Sequence, residues 1–190
     1  MIIIISVVAL TFLGGYEGTK IEKQQAQGEE QIGSKSEVTE GDFVYRLISG
    51  KSTYSQGEKV DLYAELEYVG EGKEIEIAHA ASPFYFPITE KTRGFEIIYM
   101  MNMPRIVTLL KKGEPLRERY RGGGGYRSED PKEYVDFIKE VAESYRASGS
   151  LPWGEYEVSG VARFTPLHGS AKEEMKEIQI KAKVAFRVDK

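Results

Sequence analysis

Ile178-Gln179-Ile180-Lys181-Ala182-Lys183-Val184-Ala185-Phe186-Arg187-Val188 decides the fold class. Ile178, Ile180, Ala182, Val184, Phe186 and Val188 fall on one side of an extended chain, and Gln179, Lys181, Lys183 and Arg187 on the other. A period of two belongs to a strand with one face in a core and the other in water; a helix would scatter these residues around its axis. Tyr156, Val158, Gly160, Ala162 and Phe164 repeat the theme. So do Val60, Leu62, Ala64, Leu66 and Tyr68, set against Asp61, Tyr63, Glu65 and Glu67. Shorter strand candidates are Phe43–Ile48, Glu74–His79, Pro83–Ile88, Phe95–Met100, Arg105–Lys111 and Leu116–Arg121. Gly57, Gly70, Gly72, Gly94 and Gly113 punctuate them as turns. Many short alternating strands with such turns predict an antiparallel β-sandwich.

One helix interrupts the series. Tyr134, Val135, Phe137, Ile138, Val141, Ala142 and Tyr145 recur at helical spacing, which predicts a helix over about 131–147. Asp130 is placed as its N-cap, with Pro131 at the first helical position and Glu133 three residues after the cap. Gly149 is placed to end it. Its apolar stripe must lie over one end or face of the sandwich.

The chain has 190 residues, 41% hydrophobic and 29% charged, which suits a globular domain with a segment to spare. A net charge of −4 argues against nucleic acid as a partner. The absence of Cys removes disulfides, thiolate metal sites and cysteine nucleophiles. The only two His, at 79 and 168, leave little material for a His-based triad or metal site. Polar composition is skewed to 25 Glu with a single Asn, Asn102, a pattern that resembles hyperthermophilic archaeal proteins.

The expected domain occupies 42–190, preceded by two other segments. Ile2 to Leu13 is almost wholly apolar, too short for a membrane-spanning helix and of the right length for the core of a secretory signal. Leu13-Gly14-Gly15-Tyr16 resembles a lipoprotein signal box in which Tyr16 stands where the lipidated Cys would be, so lipidation does not carry over. Residues 1–16 are therefore expected to be a signal or membrane anchor. Residues 17–41, with six Glu, three Lys and only isolated Ile and Val, are expected to form an acidic linker. The implied location is extracytoplasmic, secreted or membrane-anchored.

Two phrases carry a fold resemblance. Gln56-Gly57-Glu58-Lys59-Val60-Asp61-Leu62 opens one strand, and Leu151-Pro152-Trp153-Gly154-Glu155-Tyr156-Glu157-Val158 enters another through a Pro–Gly turn. Both resemble phrases of extracytoplasmic immunoglobulin-like sandwich domains, and the first also resembles the domain type of bacterial intracellular proteinase inhibitors. The resemblance implies an immunoglobulin-like antiparallel β-sandwich with one inserted helix, and brings no catalytic residue with it.

Candidate functional residues lie in the connections. Met100, Met101 and Met103 offer soft thioethers that suit Cu(I), with His79 or His168 as a further donor; gap-filling in a core is the competing reading. Arg117, Arg119, Arg121 and Arg127 surround Gly122–Gly125, an arrangement able to meet an anion, although no G-K-[ST] follows and alternating Arg also marks a solvated strand face. Glu129, Asp130 and Glu133 are the closest approach to paired acid–base carboxylates. Neither G-x-S-x-G nor H-E-x-x-H occurs. His79 continues the face of Ile75 and Ile77 and is read as a satisfied, partly buried imidazole, and His168 as an exposed turn residue. The leading expectation is a non-catalytic domain without cofactor or resident metal that binds a protein or cell-surface partner. Its site is assigned to two strand-end loops bearing Tyr99, Met100, Met101, Met103, Arg121, Tyr126 and Arg127, an apolar centre with an Arg and Tyr rim suited to acidic groups. A hydrolase using surface carboxylates and a Met-rich copper protein are the alternatives.

Overall fold

A computed structural model describes residues 33–168, 173–174 and 176–190. The expected signal segment 1–16, and 17–32 of the expected linker, lie outside the described residues. Among the described residues the chain is mainly β with one helix. Its strands are β1 (Ser34–Glu40), β2 (Phe43–Ser49), β3 (Thr53–Tyr54), β4 (Leu62–Tyr68), β5 (Glu74–His79), β6 (Phe84–Tyr85), β7 (Ile88–Glu90), β8 (Phe95–Ile97), β9 (Ile106–Lys111) and β10 (Leu116–Arg119). After helix α1 (Lys132–Ser148) come β11 (Gly154–His168), β12 (Glu173–Glu174) and β13 (Ile178–Val188).

One sheet runs β1-β2-β4-β10, and the other follows β3-β13-β11-β5-β9, with β6, β7 and β12 also on β11 and β8 on β7. All pairs among the described strands are antiparallel except β3 with β13, where two residues join in parallel. The long ladder of β11 and β13 sets Tyr156 opposite Phe186, Val158 opposite Val184 and Ala162 opposite Ile180, so the two alternating patterns read in the sequence share one buried face. The facing sheet supplies Phe43, Tyr45, Leu47, Leu62, Ala64 and Leu66 to the same core. Gly160 marks a close approach of the layers: a Cβ there would lie 2.5 Å from the Tyr45 hydroxyl oxygen and 2.8 Å from a Leu47 methyl carbon. Only the residue lacking a side chain fits between those partners.

Several boundaries differ from expectation; β8 stops at Ile97 rather than Met100 and β10 at Arg119 rather than Arg121. The end of the expected linker is strand β1, paired with β2 over its whole length, from Ser34 opposite Ser49 to Glu40 opposite Phe43. Its side chains are polar because an edge strand contributes backbone hydrogen bonds more than buried surface, and only Val38 packs on the core. Gly41, at φ 55°, opens the two-residue turn with Asp42. The strand expected over Pro83–Ile88 is split into β6 and β7, because Pro87 has no N–H for the ladder and offers only its carbonyl, to the Ser159 N–H at 2.9 Å. Pro166–His168, expected in a turn, extends β11, where Pro166 pairs with Ile77; the His168 side chain lies outside the described residues.

Helix α1 starts one residue later than expected. Pro131 occupies the cap position and no side chain caps the helix. Asp130 instead accepts the Arg127 N–H at 2.6 Å, closing the loop before the helix. At the other end Gly149 adopts the left-handed conformation, and its N–H bonds the Tyr145 carbonyl at 2.8 Å. Phe137, Ile138 and Val141 are buried on the inner face. Phe137 lies 5.4 Å from Phe95, and Tyr145 lies 5.4 Å from Tyr120, so the helix closes the end of the sandwich where β8 and β10 finish.

Candidate functional site

Where β8 and β10 end, two irregular segments meet beneath α1. The first leaves β8 through Ile98, Tyr99 and Met100; the second is the glycine run 122–125 followed by Tyr126 and Arg127. The Gly124 N–H bonds the Ile98 carbonyl at 2.8 Å, which fixes one against the other. The Tyr134 hydroxyl, on the first turn of α1, lies 3.1 Å from both the Glu96 and Gly125 carbonyl oxygens and shares its single proton between them. Burial raises the Tyr134 phenol above its ordinary range, with the Asp130 and Glu96 carboxylates adding to it, so this donor stays protonated. Gly125 admits the Met100 side chain, whose methyl carbon would lie 3.0 Å from a Cβ there.

The result is a cleft of about 490 Å³ lined by Glu96, Ile98, Met100, Gly125, Tyr126, Arg127, Asp130 and Tyr134. Ile98 is 51% exposed, Met100 70% and Tyr126 48%, so three apolar side chains lie uncovered around one cleft. The Lys139 ammonium sits 5.7 Å from the centre of the Tyr126 ring and steadies its orientation. Charge on the rim is mixed, with Glu96 and Asp130 against Arg127. Of the expected Arg and Tyr rim, Arg127 and Tyr126 line the cleft together with the Glu96 and Asp130 carboxylates, and the Lys139 ammonium lies beside Tyr126.

Of the residues assigned from sequence, Met100, Tyr126 and Arg127 come together. Tyr99 does not join them; it is half-buried among Phe86 at 5.6 Å, Tyr120 at 6.2 Å and Tyr85 at 6.4 Å. Met101 is half-buried, and its sulfur accepts the Ser82 N–H at 3.2 Å. Met103 turns to a smaller hollow of about 200 Å³ beside Tyr85, His79 and Arg163, with its sulfur 3.6 Å from the Tyr85 hydroxyl. The three thioethers therefore engage three different partners. Arg121 is exposed and does not line the cleft. Ile98, Glu96 and Tyr134 were missed. Tyr134 reads as part of the helix stripe, and nothing in its spacing tells that its hydroxyl reaches two loops.

The remaining candidates are engaged elsewhere. Arg117 donates through Nε to Glu65 at 2.7 Å and Arg119 pairs with Asp61, both stacked on the Tyr63 ring, so this face is the solvated, ion-paired strand surface. His79 Nδ1 lies 2.8 Å from the Ala80 carbonyl, which can only accept, so Nδ1 donates and Nε2 accepts the Thr108 hydroxyl at 2.8 Å. Both nitrogens are satisfied. Of the carboxylates grouped before α1, Glu129 accepts the Ser128 hydroxyl at 3.0 Å and Asp130 alone lines the cleft. Among the described residues no group of three or more His, Asp or Glu is placed to hold a metal ion, and no helix is long and apolar enough to cross a membrane.

Fold and site together define a β-sandwich whose one helix locks two strand-end loops into an apolar-floored cleft. No protein-family model, curated protein or solved structure matches the chain.

Proposed function

We propose that the chain is a non-catalytic binding domain of the immunoglobulin-like sandwich type that captures a protein or other cell-surface partner in the cleft between the Ile98–Met100 and Gly122–Arg127 segments. The observation that carries this reading is the exposure of Ile98, Met100 and Tyr126 around one cleft on a rigid frame. Interfaces favour Tyr, Met and Arg at their centres, and loops held by a scaffold are where binding residues concentrate. The apolar segment at 2–13 and the acidic, Gln-rich residues that follow it support display outside the cell on a tether, as a secreted or membrane-anchored protein. The abundance of Glu, Lys and Arg with one Asn supports a thermophilic source.

The test is a double substitution, Met100→Ser with Tyr126→Ala, in pull-downs from native membrane extract followed by affinity measurement on the recovered partner. Both side chains are largely exposed, so stability should change by no more than about 0.5 kcal/mol each. Partner affinity should fall by about 1–2 kcal/mol or more, the scale of interface anchors. A partner held equally well by both proteins, or recovered by neither, would refute the cleft as the binding site.

A further inference from the structure

Among the described strands the sheets end at β1, β10, β3, β8 and β9, with the two-residue β6 and β12 paired only on β11, and every one but β9 is short or charged. β1 carries Lys35, Glu37 and Glu40 outward, β10 is four residues long with Arg117 and Arg119, and β3 has two residues. Short edges and charged side chains are how sheets avoid pairing with other chains. β9 is six residues long and carries a charge only at its end, Lys111. Ile106-Val107-Thr108-Leu109-Leu110 is uncharged, Val107 is 38% exposed and Leu109 46%.

The phase of its hydrogen bonds follows from its neighbour. β9 pairs with β5 in a register running from Glu74 opposite Lys111 to His79 opposite Ile106, and no other described strand pairs with it. One step beyond, the Lys112 N–H bonds the Lys73 carbonyl at 2.8 Å. In an antiparallel ladder the residues that exchange bonds alternate with those that do not. Even-numbered residues of β9 thus turn their polar backbone groups toward β5, and odd-numbered ones turn theirs away. The Lys111 carbonyl agrees, since it faces away from β5 and accepts the Glu114 N–H at 3.0 Å. Val107 and Leu109 therefore turn their N–H and C=O groups to this open edge, and their side chains stand partly exposed on the sheet face beside it.

We propose that β9 is a homodimer edge: two copies pair it antiparallel about a two-fold axis at Val107, joining their larger sheets into one. Any two-fold centred on a residue keeps odd residues opposite odd ones, as the outward backbone groups require, and three such registers centre the axis in the middle of the exposed stretch. Centring the axis on Thr108 sets Arg105 against Lys111 of the second copy, like charges facing, which is unfavourable. Centring it on Leu109 calls on the Lys111 carbonyl, already taken by Glu114. Centring it on Val107 sets Val107 against itself and Leu109 against the aliphatic stem of Arg105, with no like charges opposed. An isologous contact of this kind repeats each favourable pair twice. The pattern suits a second copy better than an unrelated strand, because one sequence satisfies both sides. It is independent of the cleft and of its partner.

The test uses the full chain in sedimentation equilibrium. Wild type should be dimeric. Val107→Lys and Val107→Glu, each of which places like charges face to face at the axis, should each weaken the dimer at least about tenfold while leaving the far-ultraviolet circular dichroism of the folded chain unchanged. An equimolar mixture of V107K and V107E should restore a dimer, because the axis then holds opposite charges. Val107→Thr keeps a β-branched, uncharged edge and should remain dimeric. The cleft variant M100S/Y126A should also remain dimeric, even where it loses its partner. A monomeric wild type would overturn the proposal, as an edge kept for another protein's strand would give. Undiminished association of V107K, or a charge-swapped mixture that stays monomeric while both proteins are folded, would overturn it as well.

Discussion

Raising the pH should unfold this protein through its buried tyrosines. Tyr45 on β2, Tyr120 just after β10 and Tyr156 on β11 are all buried in the core. Burial drives each phenol well above its ordinary pKa, because a phenolate there would lose its water; for Tyr156 the nearby Glu90 carboxylate adds to the effect and the Arg93 guanidinium only partly opposes it. The folded-state values lie above the unfolded value of about 10, so the stabilisation is fully present below pH about 10 and disappears as pH rises through the raised values. Above pH about 10 the unfolded chain releases protons that the folded chain retains, so it binds fewer and gains stability relative to the fold. At pH about 11 each such phenol weakens folding by about 1.4 kcal/mol, and the three together by about 4 kcal/mol, a large part of an ordinary domain's stability.

Urea unfolding curves at successive pH values would read this loss directly, with phenolate absorbance reporting ionisation in the folded state. Tyr45→Phe isolates one contribution. Its ring keeps its near-parallel packing with Phe84, 6.1 Å away, and no proton remains to be released in either state. The fall in stability between pH about 8 and about 11 should then shrink by about 1.4 kcal/mol. A Tyr45→Phe protein that loses as much stability as wild type over that range refutes the linkage. So does phenolate absorbance that reaches its full amplitude before the fold is lost.

Two further outcomes follow from the packing. Glu90→Ala should cost about 3–5 kcal/mol in chemical denaturation, because the buried Glu90 carboxylate accepts the Thr92 and Arg93 N–H groups at 2.8 Å each and pairs with the Arg93 guanidinium; a change under about 1 kcal/mol would show that the turn does not depend on it. Deleting residues 1–32 should leave a cooperatively folding protein, whereas deleting 1–41 removes β1 and strips the β2 edge, lowering the thermal midpoint measured by circular dichroism. Equal midpoints for the two deletions would contradict the role given to β1.

The strands that bury a whole face were legible, because burial imposes the period of two. Ile178–Val188 and Glu74–His79 match their expected bounds. The helix lay one residue off at its start, since Pro131 took the cap position and left Asp130 to the preceding loop. β1 was hidden because its contribution is backbone bonding, which composition does not register. The signal that could have revealed it was the Gly41-Asp42 pair before Phe43, a two-residue hairpin turn in form. The site was legible only in part. Met100, Met101 and Met103 are neighbours in sequence, but the segment from Ile98 to Arg105 is not a regular element. No period therefore tells which of its side chains turn to the glycine run, which to Ser82 and which to Tyr85.

That irregularity is compatible with a well-defined site because the loops do not hold themselves. Glycines at 122–125 give the second loop little stiffness of its own. Its geometry comes from bonds made to it: Gly124 to Ile98, and Gly125 and Glu96 to the Tyr134 hydroxyl. Tyr134 is in turn set by α1, whose buried Phe137, Ile138 and Val141 lock it to the end of the sandwich. The glycine run and the helix are thus complementary. Bare backbone lets Met100 and Tyr126 approach one another, and the helix removes the freedom that bare backbone would otherwise leave. Without α1 the same residues would be an open strand-end loop, and any partner would have to supply the ordering free energy at the moment of binding. With it, most of that ordering is done on folding, and the exposed apolar floor is presented already shaped.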